Sequence, residues 1–265
     1  MPHVRVGDIE LYHELIDYTE PWKPAPAPVV FVHGLGGDHG MWLYQVPEFC
    51  NRFPVVTVDL RGHGESSKPE RDFGIADMAL DLARLFRVLG VERAHVVGCS
   101  LGGMVAQQLA LDHPLAVASL VLVDTLCGAP PGFESVARSA LQFIEENDMP
   151  TVAKTRITNA FADTVDPPLR AYFIDRVARN HKASYVRAAH AAYGFSVGNR
   201  LAEIAVPTLV IVGEEDRVTP PPLSEDLAAR ITGARLLRIA GAGHISNVER
   251  PQAFNRAVLE FLSTV

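Results

Sequence analysis

Cysteine is scarce in this chain of 265 residues: Cys50, Cys99 and Cys127 are odd in number and far apart. They form neither a disulfide framework nor the paired spacing of a zinc site. Long apolar runs are missing too. None approaches the roughly 20 residues that cross a bilayer as a helix, and the opening Met1-Pro2-His3-Val4-Arg5-Val6-Gly7-Asp8 lacks the apolar core of a signal peptide. A cytoplasmic protein with no membrane partner is expected. Basic charge is in deficit, with 24 Lys and Arg against 31 Asp and Glu, for a formal net charge of −7. Phosphate backbones need a clustered basic face, so no nucleic-acid partner is expected. No segment reads Gly-x-Gly-x-x-Gly, Gly-Lys-Ser/Thr or His-Glu-x-x-His. Nucleotide and metallohydrolase chemistry therefore lack support, and neither a metal nor another cofactor is expected.

What is present is a globular composition, 48% hydrophobic and 21% charged, with mean hydropathy +0.11. The length allows one large domain or one domain with a sizeable insertion. Val4–Val6 and Glu10–Leu15 alternate around Gly7-Asp8, which predicts an opening β-hairpin. After a proline-rich connector, Pro21 to Pro28, come runs that are apolar at nearly every position: Val29–Val32, Val55–Val58, Ala94–Val97, Leu120–Val123 and Leu209–Val212. Such runs predict strands buried on both faces, as in a parallel sheet covered by helices. Ile75–Leu89 and Leu101–His113 have helical spacing, and Leu236–Ile239 with Pro251–Leu262 makes a last strand–helix unit. The expected class is α/β, mostly parallel, with an antiparallel start. From about Leu126 to Arg200 only amphipathic helical segments occur, separated by Gly128-Ala129-Pro130-Pro131-Gly132 and Asp166-Pro167-Pro168. We expect a core in two parts, residues 1–125 and 201–265, interrupted by a helical insertion at 126–200.

The most informative segment is Val96-Val97-Gly98-Cys99-Ser100-Leu101-Gly102-Gly103. It places Gly98-x-Ser100-x-Gly102 directly after a buried strand and before a helix, the context of a nucleophile elbow. A turn that sharp excludes side chains two positions either side of the serine. The hydroxyl is thereby presented at a helix N-terminus, where free N–H groups favour a developing oxyanion. The bland alternative is an ordinary glycine-rich strand–helix turn.

On these residues the chain resembles the α/β-hydrolase superfamily, serine branch, from residue 4 to the C-terminus. His33-Gly34-Leu35-Gly36-Gly37 stands where that family places its second oxyanion donor, and Asp59-Leu60-Arg61-Gly62-His63-Gly64-Glu65-Ser66 resembles its following turn. With Ala242-Gly243-His244-Ile245-Ser246-Asn247-Val248-Glu249-Arg250-Pro251, the look is most similar to the 3-oxoadipate enol-lactonase and small carboxylesterase group. The family order of nucleophile, acid and histidine implies Ser100, Asp216 and His244. Among ten histidines, His244 lies in a small-residue loop after the last strand, able to curl back over the elbow. His33 is expected to brace the glycine loop, His63 to sit in a turn without catalytic duty, and His181 and His190 to line the surface or the pocket wall. Asp216 follows Leu209–Val212, where most members carry the acid. Its competitor is Asp124, after Leu120–Val123, whose alternative role is to brace a loop. Oxyanion donors would be the backbone N–H groups of Leu35 and Leu101.

The resemblance makes the insertion a cap over the pocket. It carries nine basic and seven acidic residues and no tryptophan, the least acidic part of an acidic chain. Most of these are expected to be solvated, but an inward-facing Arg156, Arg176 or Arg187 beside Gly34 would hold a substrate carboxylate. The expected function is hydrolysis of a small carboxylic ester or lactone through an acyl-enzyme, by a monomer or homodimer. Rivals with the same triad are carbon–carbon bond hydrolysis of ring-cleavage diketo acids and cofactor-free perhydrolysis or halogenation. A ligand receptor on a hydrolase scaffold is the non-enzymatic rival.

Overall fold

Valine and isoleucine stretches with no polar alternation have no face to offer water, so they are stable only inside a covered sheet. The computed structural model describes residues 2–130 and 132–265 and shows this arrangement. One eight-stranded sheet runs in the order β1-β2-β4-β3-β5-β6-β7-β8. The hairpin β1 (His3–Val6) and β2 (Ile9–Ile16) is antiparallel and adds antiparallel to β4 (Val55–Val58). From there β4, β3 (Val29–Val32), β5 (Ala94–Cys99), β6 (Val117–Val123), β7 (Thr208–Gly213) and β8 (Arg235–Ile239) are all parallel. β3, β4, β5 and β7 are buried along their whole length, whereas β8, at the edge, buries only Ile239.

Helices cover both faces. A one-turn α1 (Val46–Phe49) precedes β4, and α2 (Ile75–Val88) packs on α3 (Leu101–Asp112). α3 lies against β5 and β6 and is buried on almost every side. Between β6 and β7 come α4 (Glu134–Glu146), α5 (Met149–Ala160), α6 (Pro167–Ala178) and α7 (Lys182–Tyr193), with α5 packed on α6 and α4 on α7. An antiparallel bridge, Gly128 to Ser196, closes the base of this insertion. α8 (Pro221–Arg230), the one-turn α9 (Ser246–Glu249) and α10 (Pro251–Leu262) complete the chain. No helix among the described residues is long and apolar enough to cross a membrane. Met1 of the opening motif and Pro131 of the Gly128–Gly132 linker lie outside the described residues.

The sheet and its nucleophile-bearing turn touch backbone to backbone. A Cβ on Gly98 would lie 2.3 Å from the Gly102 carbonyl oxygen, and one on Gly102 would lie 2.1 Å from that of Val32. Neither neighbour is a flexible side chain that could step aside. Gly98→Ala and Gly102→Ala are therefore expected to cost about 3 kcal/mol each, the upper end of overpacking penalties. Gly233, at φ +75° with nothing within 4 Å, should cost only about 1 kcal/mol as alanine, the strain of a left-handed side chain. Urea denaturation of the three variants measures this. Equal losses at all three positions would show that close approach of backbones is not what fixes the elbow glycines.

Candidate active site

Ser100 joins β5 to α3 at φ +53° and ψ −115°, a conformation that L residues avoid without outside support. The support is visible. Its N–H donates to the Val123 carbonyl at 2.8 Å, and its carbonyl accepts the Thr125 hydroxyl at 2.7 Å and the Gly103 N–H at 2.9 Å. The hydroxyl thus stands clear of the backbone at the start of α3.

The loop after β3 supplies the facing wall. Buried His33 accepts the Leu60 N–H on Nε2 at 3.0 Å, which leaves Nδ1 to donate to the Gly34 carbonyl at 2.7 Å. This neutral tautomer, favoured by burial that pulls its pKa down, braces the loop as expected. A Cβ on Gly34 would be 3.3 Å from that of Ser100, a tight contact, so glycine here lets the loop lie close against the serine. Beside it, Leu35 N–H has no protein acceptor among the described residues, and neither has Leu101 N–H at the uncapped start of α3.

The loop after β8 brings His244 over Ser100, with Nε2 3.0 Å from the hydroxyl. On its other side Nδ1 meets Asp216 Oδ2 at 2.9 Å. Asp216 is fixed in turn: Oδ1 accepts the N–H groups of Val218 and Thr219 at 2.7 and 2.9 Å, and Oδ2 accepts the Thr219 hydroxyl at 2.8 Å. Burial works against charge at both ends of this pair. For Asp216 the His244 and Thr219 contacts outweigh it and hold the carboxyl below its ordinary range. For His244 burial acts to lower the pKa, but Asp216 first and Asp124 second outweigh it, and the imidazole is raised.

Asp124 does not touch the imidazole. It sits at φ +46° at the end of β6, accepting the Gly213 N–H at 2.9 Å and the Ser246 N–H and hydroxyl at 3.0 and 2.7 Å. It ties the end of β7 to the loop carrying His244. Burial and the Asp216 charge push it up to about 8. The Ser246 hydroxyl can reverse and accept, so either protonation state is satisfied. Glu214 and Glu215 are exposed, as are His181 and His190. His63 is buried, bonded to the Arg61 carbonyl and pushed down to about 3 by burial.

These groups open on a cavity of about 530 Å³ whose far wall comes from α4 to α7, including Phe143, Phe173, Tyr185 and Tyr193. A larger hollow of about 790 Å³, lined by Tyr44, Arg52, Arg256 and Glu260, holds no such chain of groups. The three candidate arginines separate. Arg156 lines the cavity and donates to the Tyr193 hydroxyl at 3.3 Å. Arg176 does not reach it: its guanidinium turns outward to Asp38 and to the Tyr172 hydroxyl. Arg187, expected to face the pocket, does not reach it either. It lies two residues from cavity-facing Tyr185, so a step of about 200° around α7 points it away, toward Asp72 at 3.4 Å. Sequence reasoning passed over Thr219, Ser246, Tyr185 and Tyr193. Thr219 had a signal, since Asp followed by hydroxyl and amide partners within three residues marks a local side-chain-to-backbone turn. The tyrosines had none.

Known proteins agree with this architecture. A model of the alpha/beta hydrolase family matches residues 29–257, and the chain belongs to that family. The 3-oxoadipate enol-lactonase 2 of Acinetobacter baylyi is 30% identical over 233 residues, 87% of this chain and 86% of the lactonase. A Caulobacter vibrioides protein named for carbamate hydrolysis is 31% identical over 252 residues, 88% of this chain and 89% of its own length. The crystal structure of an enol-lactonase from Burkholderia xenovorans LB400 superposes with a TM-score of 0.90 at 29% identity, spanning 99% of this chain and 100% of that one.

The electrostatics predict that His244 titrates above the ordinary imidazole value of about 6.5. Following its ring signals by NMR against pH tests this, and Asp216→Asn should move the midpoint down by more than Asp124→Asn does. A parent midpoint at or under 6.5 would show that burial outweighs both carboxylates.

Proposed function

We propose that this alpha/beta hydrolase cleaves a carboxylic ester or lactone of a small substrate through an acyl-enzyme on Ser100. The observation that carries the reading is the unbroken chain Asp216–His244–Ser100, opening on a cavity, with the Leu35 and Leu101 N–H groups beside Ser100 lacking a protein acceptor among the described residues. Neutral His244 takes the hydroxyl proton as Ser100 Oγ attacks the substrate carbonyl, and then gives that proton to the leaving oxygen. Asp216 holds the ring in the tautomer with the proton on Nδ1 and stabilises the imidazolium. The Leu35 and Leu101 N–H groups receive the oxyanion; losing one such donor typically costs about 2.7–4 kcal/mol. Water, activated by the same imidazole, then releases the acid. The relatives named for lactone and carbamate hydrolysis support acyl transfer at this site.

Labelling with a fluorophosphonate probe and peptide mass spectrometry should find Ser100. Asp216→Asn should lower kcat by about 10⁴ with the fold intact, the penalty for an imidazole without its orienting carboxylate, while Asp124→Asn does much less. Reversed effects would make Asp124 the acid. Because protonated His244 cannot accept a proton, kcat/KM for nitrophenyl acetate should rise with pH through the raised imidazole midpoint. Including lactones, carbamates and diketo acids in the panel decides the bond type. Carbamates or diketo acids outpacing every ester and lactone would overturn that part.

Within this reading the 126–200 insertion acts as the cap that selects substrate, and Arg156 is its selecting group. Arg156 carries its charge into the cavity with the Tyr193 hydroxyl as its one side-chain partner among the described residues. The neighbouring Tyr185 hydroxyl is buried with no partner among the described residues. A half-buried guanidinium without a carboxylate partner is poised to pair with one that a ligand brings. A substrate with a free carboxylate at the end remote from its scissile bond fits this arrangement. Esters bearing such a group should surpass their methyl-capped analogues in kcat/KM by roughly 1.5–3 kcal/mol, the worth of a hydrogen bond to a charged group. Arg156→Gln should abolish the preference and spare neutral esters. A parent that already favours the neutral analogues would exclude the carboxylate.

A further inference from the structure

Glu249, five residues after His244, ends α9 with a carboxylate that is 7% exposed. Such an anion is ordinarily paired with a cation. Here backbone donors come first. Oε2 accepts the Ala162 N–H at 2.9 Å and Oε1 accepts the Ile245 N–H at 3.2 Å, with the Gly243 N–H beside them and the Arg250 charge a smaller contribution. Burial leaves the carboxyl above its ordinary range despite these bonds.

The donors belong to two different parts of the molecule. Gly243 and Ile245 flank His244. Ala162 lies just beyond α5, the helix that carries Arg156 and ends at Ala160. A second bond crosses the same seam, from the His244 N–H to the Ala160 carbonyl at 2.7 Å. The seam has no slack: a Cβ on Gly243 would lie 2.5 Å from the Ala160 oxygen and 3.1 Å from Glu249 Oε1. One carboxylate therefore bonds the end of the cavity's roof and the residue that follows the imidazole-bearing one.

We infer that Glu249 is a positioning residue, locking the His244 loop to the end of α5 so that the base and the roof hold one fixed geometry over Ser100. The inference rests on His244 being the base. A carboxylate offers acceptors in both directions, which is what two facing sets of N–H donors require. The isosteric amide of glutamine offers one acceptor oxygen, and its NH2 meets the remaining donors head-on. Glu249→Gln thus keeps the volume of the side chain but gives up either the roof or the loop.

Steady-state hydrolysis of nitrophenyl acetate and the rate of fluorophosphonate labelling at Ser100 test this. Glu249→Gln should lower kcat on the order of 10²-fold, as displacement of a reacting group by about 1 Å does. KM should stay near its parent value, and labelling should slow in parallel. Glu249→Asp, which keeps the charge one methylene back, should show the same kcat-selective loss at smaller size. It is read in place of the glutamine variant if that one does not fold. In an Asp216→Asn background the Glu249 substitution should cost far less than in the parent, because the imidazole is already misoriented. A folded Glu249 variant with kcat within about threefold of the parent would overturn the inference, as would losses that multiply fully in both backgrounds. Failure of the triad itself looks different: labelling and turnover would then survive His244→Gln, whatever happens at position 249.

Discussion

The site depends on one close approach of backbones. Ser100 can hold its positive φ only because β3, β5 and α3 meet at Gly98 and Gly102, where a single Cβ would sit 2.1–2.3 Å from a carbonyl oxygen. That contact fixes the serine hydroxyl against the start of α3 and the Gly34 loop. A hydroxyl so placed cannot reach for its partners, so the partners are brought to it. The imidazole comes from the loop after β8 and the carboxylate from the loop after β7, at the same edge of the sheet. A parallel sheet makes this economical, because all its strands end on one side and short loops from distant parts of the chain converge there.

Two buried carboxylates stand near the imidazole, and their bonds divide the work between them. Asp216 is held by backbone N–H groups and by Thr219 in a position that leaves one oxygen facing His244 Nδ1. Asp124 spends both oxygens on Gly213 and Ser246 and reaches His244 only through its charge. Both non-glycine residues with positive φ among the described residues, Ser100 and Asp124, lie at this edge. Local strain is concentrated where loops must be aimed, which is where it commonly has a purpose.

The core strands and the elbow were legible because burial and close packing write directly into residue type. Valine runs predicted β3 and β4 to the residue, and Gly98-x-Ser100-x-Gly102 marked the turn. Ala94–Val97 fell short of β5 because Gly98, needed for contact with α3, breaks the apolar run. The preference for Asp216 over Asp124 came from resemblance, since both are single acids after buried strands. What was illegible is which way insertion side chains point. Arg156, Arg176 and Arg187 share a residue type and a helical setting, and only the packing of α5 on α6 and α4 on α7 sends the first inward and pairs the others with Asp38 and Asp72. Glu249 was invisible for a related reason: its donors, Ala162 and Ile245, are backbone groups, and one of them is 87 positions away.

Arg156 and His244 share the cavity, and their charges oppose each other. The guanidinium disfavours the imidazolium that Asp216 and Asp124 favour. Burial is the larger force against the imidazolium and the guanidinium the smaller one, and the two together oppose what the carboxylates favour. A bound carboxylate at Arg156 would cancel part of the guanidinium charge and raise the imidazole's basicity as the cavity fills. Coulomb coupling of this kind grows as water leaves, because the effective dielectric falls. It also demands that roof and base keep a constant separation, since the interaction varies with distance. The bond from the His244 N–H to the Ala160 carbonyl and that from the Ala162 N–H to Glu249 tie the end of α5, the helix that carries Arg156, to the loop that carries the imidazole.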